Sequence, residues 1–226
     1  MPTVVITGAN RGIGLEFARQ YAADGWRVLA TCRSPRGSKE LAALGGDIRV
    51  HALDVIDEYQ LAALAKALGD EAIDVLINNA GVVGPEDSFG NTPTNDWLEV
   101  LRVNAIAPLH VAEQFAAHIE RGQRRLIVNI TSRMGSIADN GSGGSYVYRT
   151  SKAALNMVAK SMAHDLAGKR IIVVVFHPGW VKTDMGGPQA LLPPKASVAG
   201  MRAKIATLTA ADSGKFFNYD GKPLPW

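Results

Sequence analysis

Short apolar runs alternate along this chain with longer stretches whose apolar positions recur at helical spacing. The short runs are rich in β-branched residues, which is typical of buried parallel strands. They predict seven strands, at residues 3–7, 27–33, 48–53, 72–77, 126–130, 171–176 and 214–219. Helices are predicted between them, and the longest are expected at about 94–121, 146–166 and 197–208. This alternation predicts an α/β fold, with one doubly wound parallel sheet of about seven strands and helices on both faces.

Two stretches interrupt the regular pattern without dividing the chain. Pro108 lies inside the first long helix and predicts a kink there. Residues 135–145 are rich in Gly, Ser and Asn and predict an irregular loop. Because no repeat, linker or low-complexity segment occurs, we expect a single domain spanning residues 1–226.

Composition narrows the possible partners. The chain is 47% apolar and 20% charged, with a net charge of +3, and no dense Lys/Arg run indicates a nucleic-acid partner. A single cysteine, Cys32, excludes an internal disulfide and suits a reducing compartment. The five histidines lack metal-ligand spacing, so we expect no metal site. No apolar run is long enough to span a bilayer, and we expect a soluble cytoplasmic protein with no membrane partner.

Three glycines follow the first strand and open the next helix, in the spacing Gly8-x-x-x-Gly12-x-Gly14. Glycines allow a tight turn and bring main-chain N–H groups and a helix N-terminus close to a pyrophosphate. A turn of this kind also links strands to helices without a ligand. Its position at the first strand–helix junction favours a dinucleotide site, as in a Rossmann fold.

The end of the second strand bears on the choice of cofactor. It reads Thr31-Cys32-Arg33-Ser34, without the acidic residue that usually holds the ribose hydroxyls of NAD. Arg33 and Arg11 offer two guanidinium groups for a 2′-phosphate, which favours NADP(H) over NAD. The alternative is that both are solvated surface arginines.

Polar residues also follow other predicted strands, and parallel strands bring such ends to one edge of the sheet. Asp54 could accept a hydrogen bond from an adenine amino group or cap the following segment. The turn 78–81, Ser132 and Thr183 follow the strands further along. These positions therefore indicate one ligand cleft.

Tyr148 and Lys152 lie four residues apart in a predicted helix and so project from the same face. A free tyrosine has a pKa of about 10, and a nearby positive charge favours the phenolate. This spacing alone is also typical of an exposed surface pair. The predicted ligand edge favours the catalytic interpretation, in which the pair moves a proton at a carbonyl oxygen.

Six motifs, in order, resemble the short-chain dehydrogenase/reductase family over nearly the whole chain: TGANRGIG, NNAG, VNAIAP, NITS, YRTSK and HPGWVKTDMGG. The segments SRMGSIADN and FFNYDGKPLPW are similar to the branch with C-factor-like and sniffer-like carbonyl reductases. The resemblance implies an NADP(H)-dependent oxidoreductase that interconverts a small carbonyl compound and its alcohol. The alternative, also found in that branch, is a cofactor-binding signalling or regulatory protein with little turnover.

The resemblance implies a role for each matching residue. Tyr148 would be the acid/base, and Lys152 would lower its pKa and hold the nicotinamide ribose. Ser132 would polarise the substrate carbonyl, and Asn104 would support a water in the proton relay. Val181 and Thr183 would hold the nicotinamide carboxamide. The full predicted cofactor set is Gly8, Asn10, Arg11, Gly12, Ile13, Gly14, Arg33, Asp54, Val55, Asn79, Ala80, Gly81, Tyr148, Lys152, Pro178, Gly179, Val181 and Thr183.

Two neighbouring residues could be confused with the catalytic ones. Tyr146 has Thr150, not a lysine, four residues on. Ser136 also precedes Tyr148, but Ser132 directly follows the strand, at the cofactor edge.

The loop between Ser132 and Tyr148 is long, since the two residues are sixteen apart. It must bulge outward if both side chains are to reach one carbonyl. Trp180 and Met185 are expected to line the substrate site or to belong to the core. The family resemblance also implies a homodimer or homotetramer through the two long helices, unless the sheet occupies all of their apolar residues.

Overall fold

The computed structural model describes the whole chain, from Met1 to Trp226. Its seven strands form one parallel sheet in the order β3-β2-β1-β4-β5-β6-β7. They are β1 (Thr3–Thr7), β2 (Arg27–Cys32), β3 (Ile48–Ala52), β4 (Val75–Asn78), β5 (Leu126–Ile130), β6 (Ile172–His177) and β7 (Phe216–Asn218). The order reverses direction between β1 and β4, which creates a crevice at the carboxyl ends of the strands. The predicted doubly wound parallel sheet is confirmed.

Helices cover both faces of this sheet. They are α1 (Gly12–Ala23), α2 (Lys39–Ala42), α3 (Glu58–Leu68), α4 (Thr94–Leu101), α5 (Ala107–Arg121), α6 (Tyr146–Asp165) and α7 (Pro194–Thr207). On one face Phe17 of α1 and Met201 of α7 join the core. On the other, Leu61 of α3, Phe115 of α5 and Met162 of α6 do so. Every helix falls short, in length or in apolar character, of what crossing a membrane requires.

Some element boundaries differ from the sequence-based ones for identifiable reasons. The fourth strand begins at Val75, directly after the buried residue Asp74, whose carboxylate holds neighbouring main-chain segments. It accepts hydrogen bonds from the main-chain N–H groups of Thr3 (2.9 Å) and Gln123 (2.9 Å). The last helix begins at Pro194, three residues earlier than expected, since proline's fixed φ and missing N–H suit a first turn.

The predicted long helix with Pro108 inside it is present as α4 and α5 joined by a π-helical turn, Arg102–Ile106. In this turn the Ala107 N–H donates to the Arg102 oxygen, five residues back. Pro108, directly after it, has no N–H to continue the regular pattern. The disturbance expected from the proline thus takes the form of a wider turn, and that turn contains Asn104.

Candidate active site

The turn between β1 and α1 depends on close packing that only glycine permits. Gly12 has a φ of +55°, where side-chain-bearing residues are strained. A Cβ on Gly14 would lie 2.3 Å from the main-chain oxygen of Gly8 and 2.5 Å from Nδ2 of Asn79. The N-terminus of α1 therefore begins directly at the crevice, in the position that favours a bound anion.

Asn79 holds this turn from the end of β4. Its side-chain nitrogen donates to the main-chain oxygens of Thr7 (2.9 Å) and Gly8 (3.1 Å). The Thr7 hydroxyl in turn accepts from the N–H groups of Asn79 (3.0 Å) and Ala80 (3.1 Å). Asn79 also lines the crevice, but its side-chain nitrogen already donates both hydrogen bonds to the glycine turn.

A cavity of about 440 Å³ lies beyond the ends of β2 and β3. The predicted cofactor residues that line it are Gly8, Asn10, Arg11, Arg33, Asp54, Val55, Ala80 and Gly81. Arg33 is exposed there and has no carboxylate partner, whereas Cys32 beside it is buried. We call it the adenosine-side cavity, after the adenine and 2′-phosphate contacts predicted for Asp54 and Arg33.

Arg11 lines this cavity together with Arg33, and its contact with a 2′-phosphate stays a prediction. Its guanidinium forms an ion pair of 3.0 Å with Asp184, and both side chains are exposed. Asp184 follows Thr183 in the loop after β6, so the pair bridges the opposite side of the crevice. Arg33, in contrast, forms no ion pair with a carboxylate.

Asp54 lines a cavity but also contacts the segment that follows it, while another residue caps the helix, so its contact with adenine stays a prediction. The cap of α3 is Asp57, whose carboxylate accepts from the Gln60 N–H at 3.0 Å. Asp54 lines the adenosine-side cavity, and its carboxylate makes a local contact with the Ile56 N–H at 3.3 Å.

Two larger cavities meet at Tyr148. A crevice of about 940 Å³ runs along the glycine turn and contains Lys152. A second cavity of about 910 Å³, here called the substrate-side cavity, contains Ser132. The predicted residues that line the crevice are Arg11, Gly12, Ile13, Asn79, Gly81, Tyr148, Lys152, Pro178 and Thr183. Those that line the substrate-side cavity are Ile13, Ser132, Tyr148, Pro178, Gly179, Val181 and Thr183.

Lys152 is a buried cation on α6, with 6% of its surface exposed. Its Nζ donates to the main-chain oxygen of Ile130 at 3.0 Å and lies 5.8 Å from the centroid of the Tyr148 ring. Burial lowers the pKa of the Lys152 ammonium to about 8. A cation held in this way, without a carboxylate, is costly for the fold and typical of a functional site.

The pKa of Tyr148 depends on its burial and on the groups beside it. Burial raises the pKa of the phenol, and the hydroxyl of Ser132 beside it acts in the opposite direction. In the cofactor-free chain the ammonium of Lys152 donates to Ile130, and the lowering of the Tyr148 pKa by Lys152 stays a prediction. A protonated phenol is the form that can donate a proton.

Ser132 and Ser136 have different surroundings. The Ser132 oxygen accepts from the Met134 N–H at 3.1 Å, at the start of a short 3₁₀ turn, and faces the substrate-side cavity. The Ser136 oxygen is buried, accepts from the Asp139 N–H at 3.1 Å and lines neither large cavity. The connecting loop bulges as expected, since residues 137–143 are all exposed.

Asn104 is fully buried and lines neither large cavity. Its side chain accepts from the Val82 N–H (2.9 Å) and donates to the Val82 oxygen (2.8 Å) and to the Ser151 hydroxyl (3.0 Å). It thereby ties the chain after β4 to α6, and its relay role stays a prediction.

Sequence reasoning did not identify Asp87, which caps the catalytic helix. Its carboxylate accepts from the N–H groups of Tyr146 (2.5 Å) and Val147 (2.9 Å), the first residues of α6. Tyr146 itself lies outside both large cavities. No local pattern reveals this cap, because Asp87 lies 59 residues before Tyr146.

Both apolar and titratable side chains line the substrate-side cavity. Trp180 and Met185 line it with 57% and 52% of their surfaces exposed, so they are not core residues. His177 also lines it, although no pattern in the sequence singled it out, and burial lowers its pKa to about 4. No three His, Cys, Asp or Glu side chains come together to hold a metal ion.

Comparison with known proteins agrees with this arrangement. Residues 2–191 match the short chain dehydrogenase family. The chain therefore belongs to the short-chain dehydrogenase family, whose fold is that of nucleotide-binding oxidoreductases.

Its relatives confirm the predicted branch. The chain is 47% identical over 154 residues to "C-signal" of Myxococcus xanthus. The alignment covers 68% of this chain and 93% of that protein. The NADPH-bound carbonyl reductase from chicken fatty liver has 34% identity and a TM-score of 0.92, over 100% of this chain and 99% of that one. The carbonyl reductase Sniffer of D. melanogaster has 33% identity and a TM-score of 0.91, with both chains fully covered.

Proposed function

We propose that the protein is an NADP(H)-dependent oxidoreductase that interconverts a carbonyl compound and its alcohol. The observation that carries this proposal is the buried, unpaired ammonium of Lys152 beside Tyr148, where the crevice meets the substrate-side cavity. Lys152 could serve a protein that only binds a nucleotide, but its place one helical turn from the buried Tyr148 phenol supports proton transfer.

The residues of the crevice fit a dinucleotide. The Gly12–Gly14 turn leaves main-chain N–H groups at the start of α1 free to hold a pyrophosphate. Arg33, free of a carboxylate, would hold the 2′-phosphate of NADP(H). Lys152 would hold the nicotinamide ribose, and Thr183 and Val181 the carboxamide. NADPH, when bound, supplies the hydride that reduces the carbonyl carbon.

The chain's own residues then act on the carbonyl oxygen. The Ser132 oxygen accepts the Met134 N–H, and its O–H, which lies beside Tyr148, would donate to the substrate oxygen. The Tyr148 phenol, protonated because burial raises its pKa, donates the proton that the new alcohol requires. The ammonium of Lys152 stabilises the phenolate that remains.

The test is NADPH oxidation by the purified chain over a panel of aldehydes, ketones, quinones and keto esters. Tyr148→Phe should lower the rate by at least about 100-fold, the usual contribution of a general acid. Tyr146→Phe, two residues away and outside both cavities, is the matched control and should keep its rate. Equal turnover by the Tyr148→Phe variant and the natural chain would overturn the proposal.

A second candidate function rests on the 47% identity to C-signal. In that case the chain would be a signalling or regulatory protein, and the dinucleotide would act as a bound ligand with little turnover. NADPH binding, detected by tryptophan fluorescence, together with no oxidation over the whole panel would favour this candidate.

We also propose that two copies of the chain associate through the region of the long helices. Leu98 of α4, Ile106 of the π-helical turn and Met157 of α6 are 56%, 46% and 67% exposed, so they could be covered by a second copy. The sheet therefore does not occupy all the apolar residues of these helices. Light scattering at several protein concentrations tests the association.

A further inference from the structure

The last residues of the chain, 222–226, form what we call the C-terminal strap. They run antiparallel to β7, with a bridge between Phe217 and Pro223. The Asn218 N–H donates to the Lys222 oxygen at 2.8 Å, and the Leu224 N–H donates to the Phe216 oxygen at 2.8 Å. The strap therefore covers the outer edge of the sheet, which would otherwise present unpaired main-chain groups.

Trp226 fastens the end of the strap to rigid elements. Its ring lies 5.6 Å from that of Phe216 in β7. The ammonium of Lys160, in α6, lies 6.0 Å from the centroid of the Trp226 ring and donates to the Gly214 oxygen at 3.2 Å. The strap is thus fixed on one side by the sheet and on the other by the catalytic helix.

The main-chain oxygen of Trp226 accepts a hydrogen bond of 2.9 Å from the N–H of Ala138. Ala138 belongs to the exposed part of the loop that joins Ser132 to Tyr148, where even Ile137 is 81% exposed. Because this segment buries little apolar surface, its position depends on a few hydrogen bonds and ion pairs.

The residue after Ala138 belongs to the site. Asp139 lines the substrate-side cavity and forms an ion pair of 3.4 Å with Arg133, which also lines it. Arg133 directly follows Ser132 in the sequence. A shift of Ala138 would therefore displace this wall, while the glycine turn and the adenosine-side cavity lie elsewhere.

We propose that the C-terminal strap is a positioning element for the substrate: Trp226 holds Ala138, and through Asp139 and Arg133 it sets the wall of the substrate-side cavity. Its effect on catalysis rests on the proposed reductase function. Its effect on the loop does not, so the two can be tested apart.

The first measurement is hydrogen–deuterium exchange of the peptide that contains Ala138, in the cofactor-free chain. Trp226→Ala keeps the main-chain oxygen but removes the ring that holds it in place, so the hydrogen bond should open more often and exchange at this amide should speed up about fivefold to tenfold. Trp226→Phe, which keeps an aromatic ring against Phe216, should restore most of the protection. Tyr59→Ala is the control, because it removes an exposed aromatic side chain on α3, distant in sequence from the loop. It should leave the exchange rate of the Ala138 amide unchanged. Unchanged exchange in Trp226→Ala would overturn the proposal.

The second measurement is steady-state kinetics with NADPH and a carbonyl substrate found in the panel. Trp226→Ala should raise the substrate KM about fivefold, with a smaller change in kcat and an unchanged Kd for NADPH. Ala138→Pro, which removes the donor from the loop side, should produce the same pattern. A kcat loss without a KM change, or weaker NADPH binding, would contradict positioning of the substrate wall. If no carbonyl is reduced at all, the reductase function fails and the exchange experiment still decides about the strap.

Discussion

The ammonium of Lys152 donates a hydrogen bond of 3.0 Å to the main-chain oxygen of Ile130, the last residue of β5. Ser132 lies two residues beyond Ile130, and Tyr148 lies one helical turn before Lys152. This single contact therefore fixes the catalytic helix against the strand end, so that both hydroxyl groups face the same cavity. The charge lies where the proposed reaction would use it, and its burial costs stability.

Replacing Lys152 should make the cofactor-free protein more stable at neutral pH. The folded pKa of Lys152 is about 8, below its usual value of 10.5. Between these two pH values the unfolded chain binds more protons, so the free energy of unfolding rises with pH there, and the full cost is present below pH 8. Lys152→Met should raise the free energy of unfolding at pH 7 by on the order of 1–3 kcal/mol.

Urea denaturation at pH 7 and across the window above pH 8 measures this effect. The natural chain should gain stability as pH rises through the window, and the Lys152→Met variant should lack that gain. Lys66→Met, which removes an exposed lysine on α3, is the control and should keep the dependence. A Lys152→Met variant that is less stable at pH 7 contradicts the prediction.

Arg33→Asp should change the cofactor preference. The substitution removes the cation at the end of β2 and places a carboxylate where NAD-dependent enzymes carry one. We expect the Kd for NADPH to rise about 10- to 100-fold, the range for a lost charge-assisted contact, while NADH binding improves. Arg36→Asp alters a nearby exposed arginine that lines neither the crevice nor the adenosine-side cavity. The same loss in both variants would point to general electrostatics and refute the 2′-phosphate contact.

Asp87→Ala should destabilise the start of the catalytic helix. The variant leaves the N–H groups of Tyr146 and Val147 without their acceptor, as in the loss of a helix cap. The free energy of unfolding should fall by about 1–2 kcal/mol, and turnover should fall with it. Thermal and urea unfolding measure the change. Asp87→Asn keeps one acceptor oxygen and should fall in between, and stability equal to that of the natural chain in Asp87→Ala would contradict the capping role.

Replacing Ser132 and replacing Ser136 should affect turnover very differently. Ser132→Ala removes the hydroxyl that faces the substrate-side cavity and should lower kcat by about 100-fold, as for the loss of a donor to a developing oxyanion. Ser136→Ala removes only the acceptor for the Asp139 N–H and should retain most of the turnover. Steady-state rates of both variants, each checked for folding by circular dichroism, make the comparison. A larger loss in the Ser136→Ala variant would reverse the assignment.

Local sequence patterns were sufficient for the fold and for the ligand edge of the sheet. Alternation of apolar runs and helical periodicity depends on neighbours a few residues apart, and it predicted the seven-stranded parallel sheet correctly. The same local spacing predicted that Tyr148 and Lys152 share a helix face and that Ser132 follows a strand. The strand order then brings these positions together, because parallel strands end at one edge.

Contacts between distant segments were decided only by the tertiary structure. The Asp87 cap joins residues 59 positions apart, and the Arg11–Asp184 pair joins residues 173 apart. Neither contact produces a repeating pattern of residues from which it could be predicted. The raised pKa of Tyr148 also depends on how fully the folded chain removes water from the phenol. The sequence by itself therefore determined the fold and which residues are proposed to carry the chemistry, whereas packing determined how far they are buried and what holds them in place.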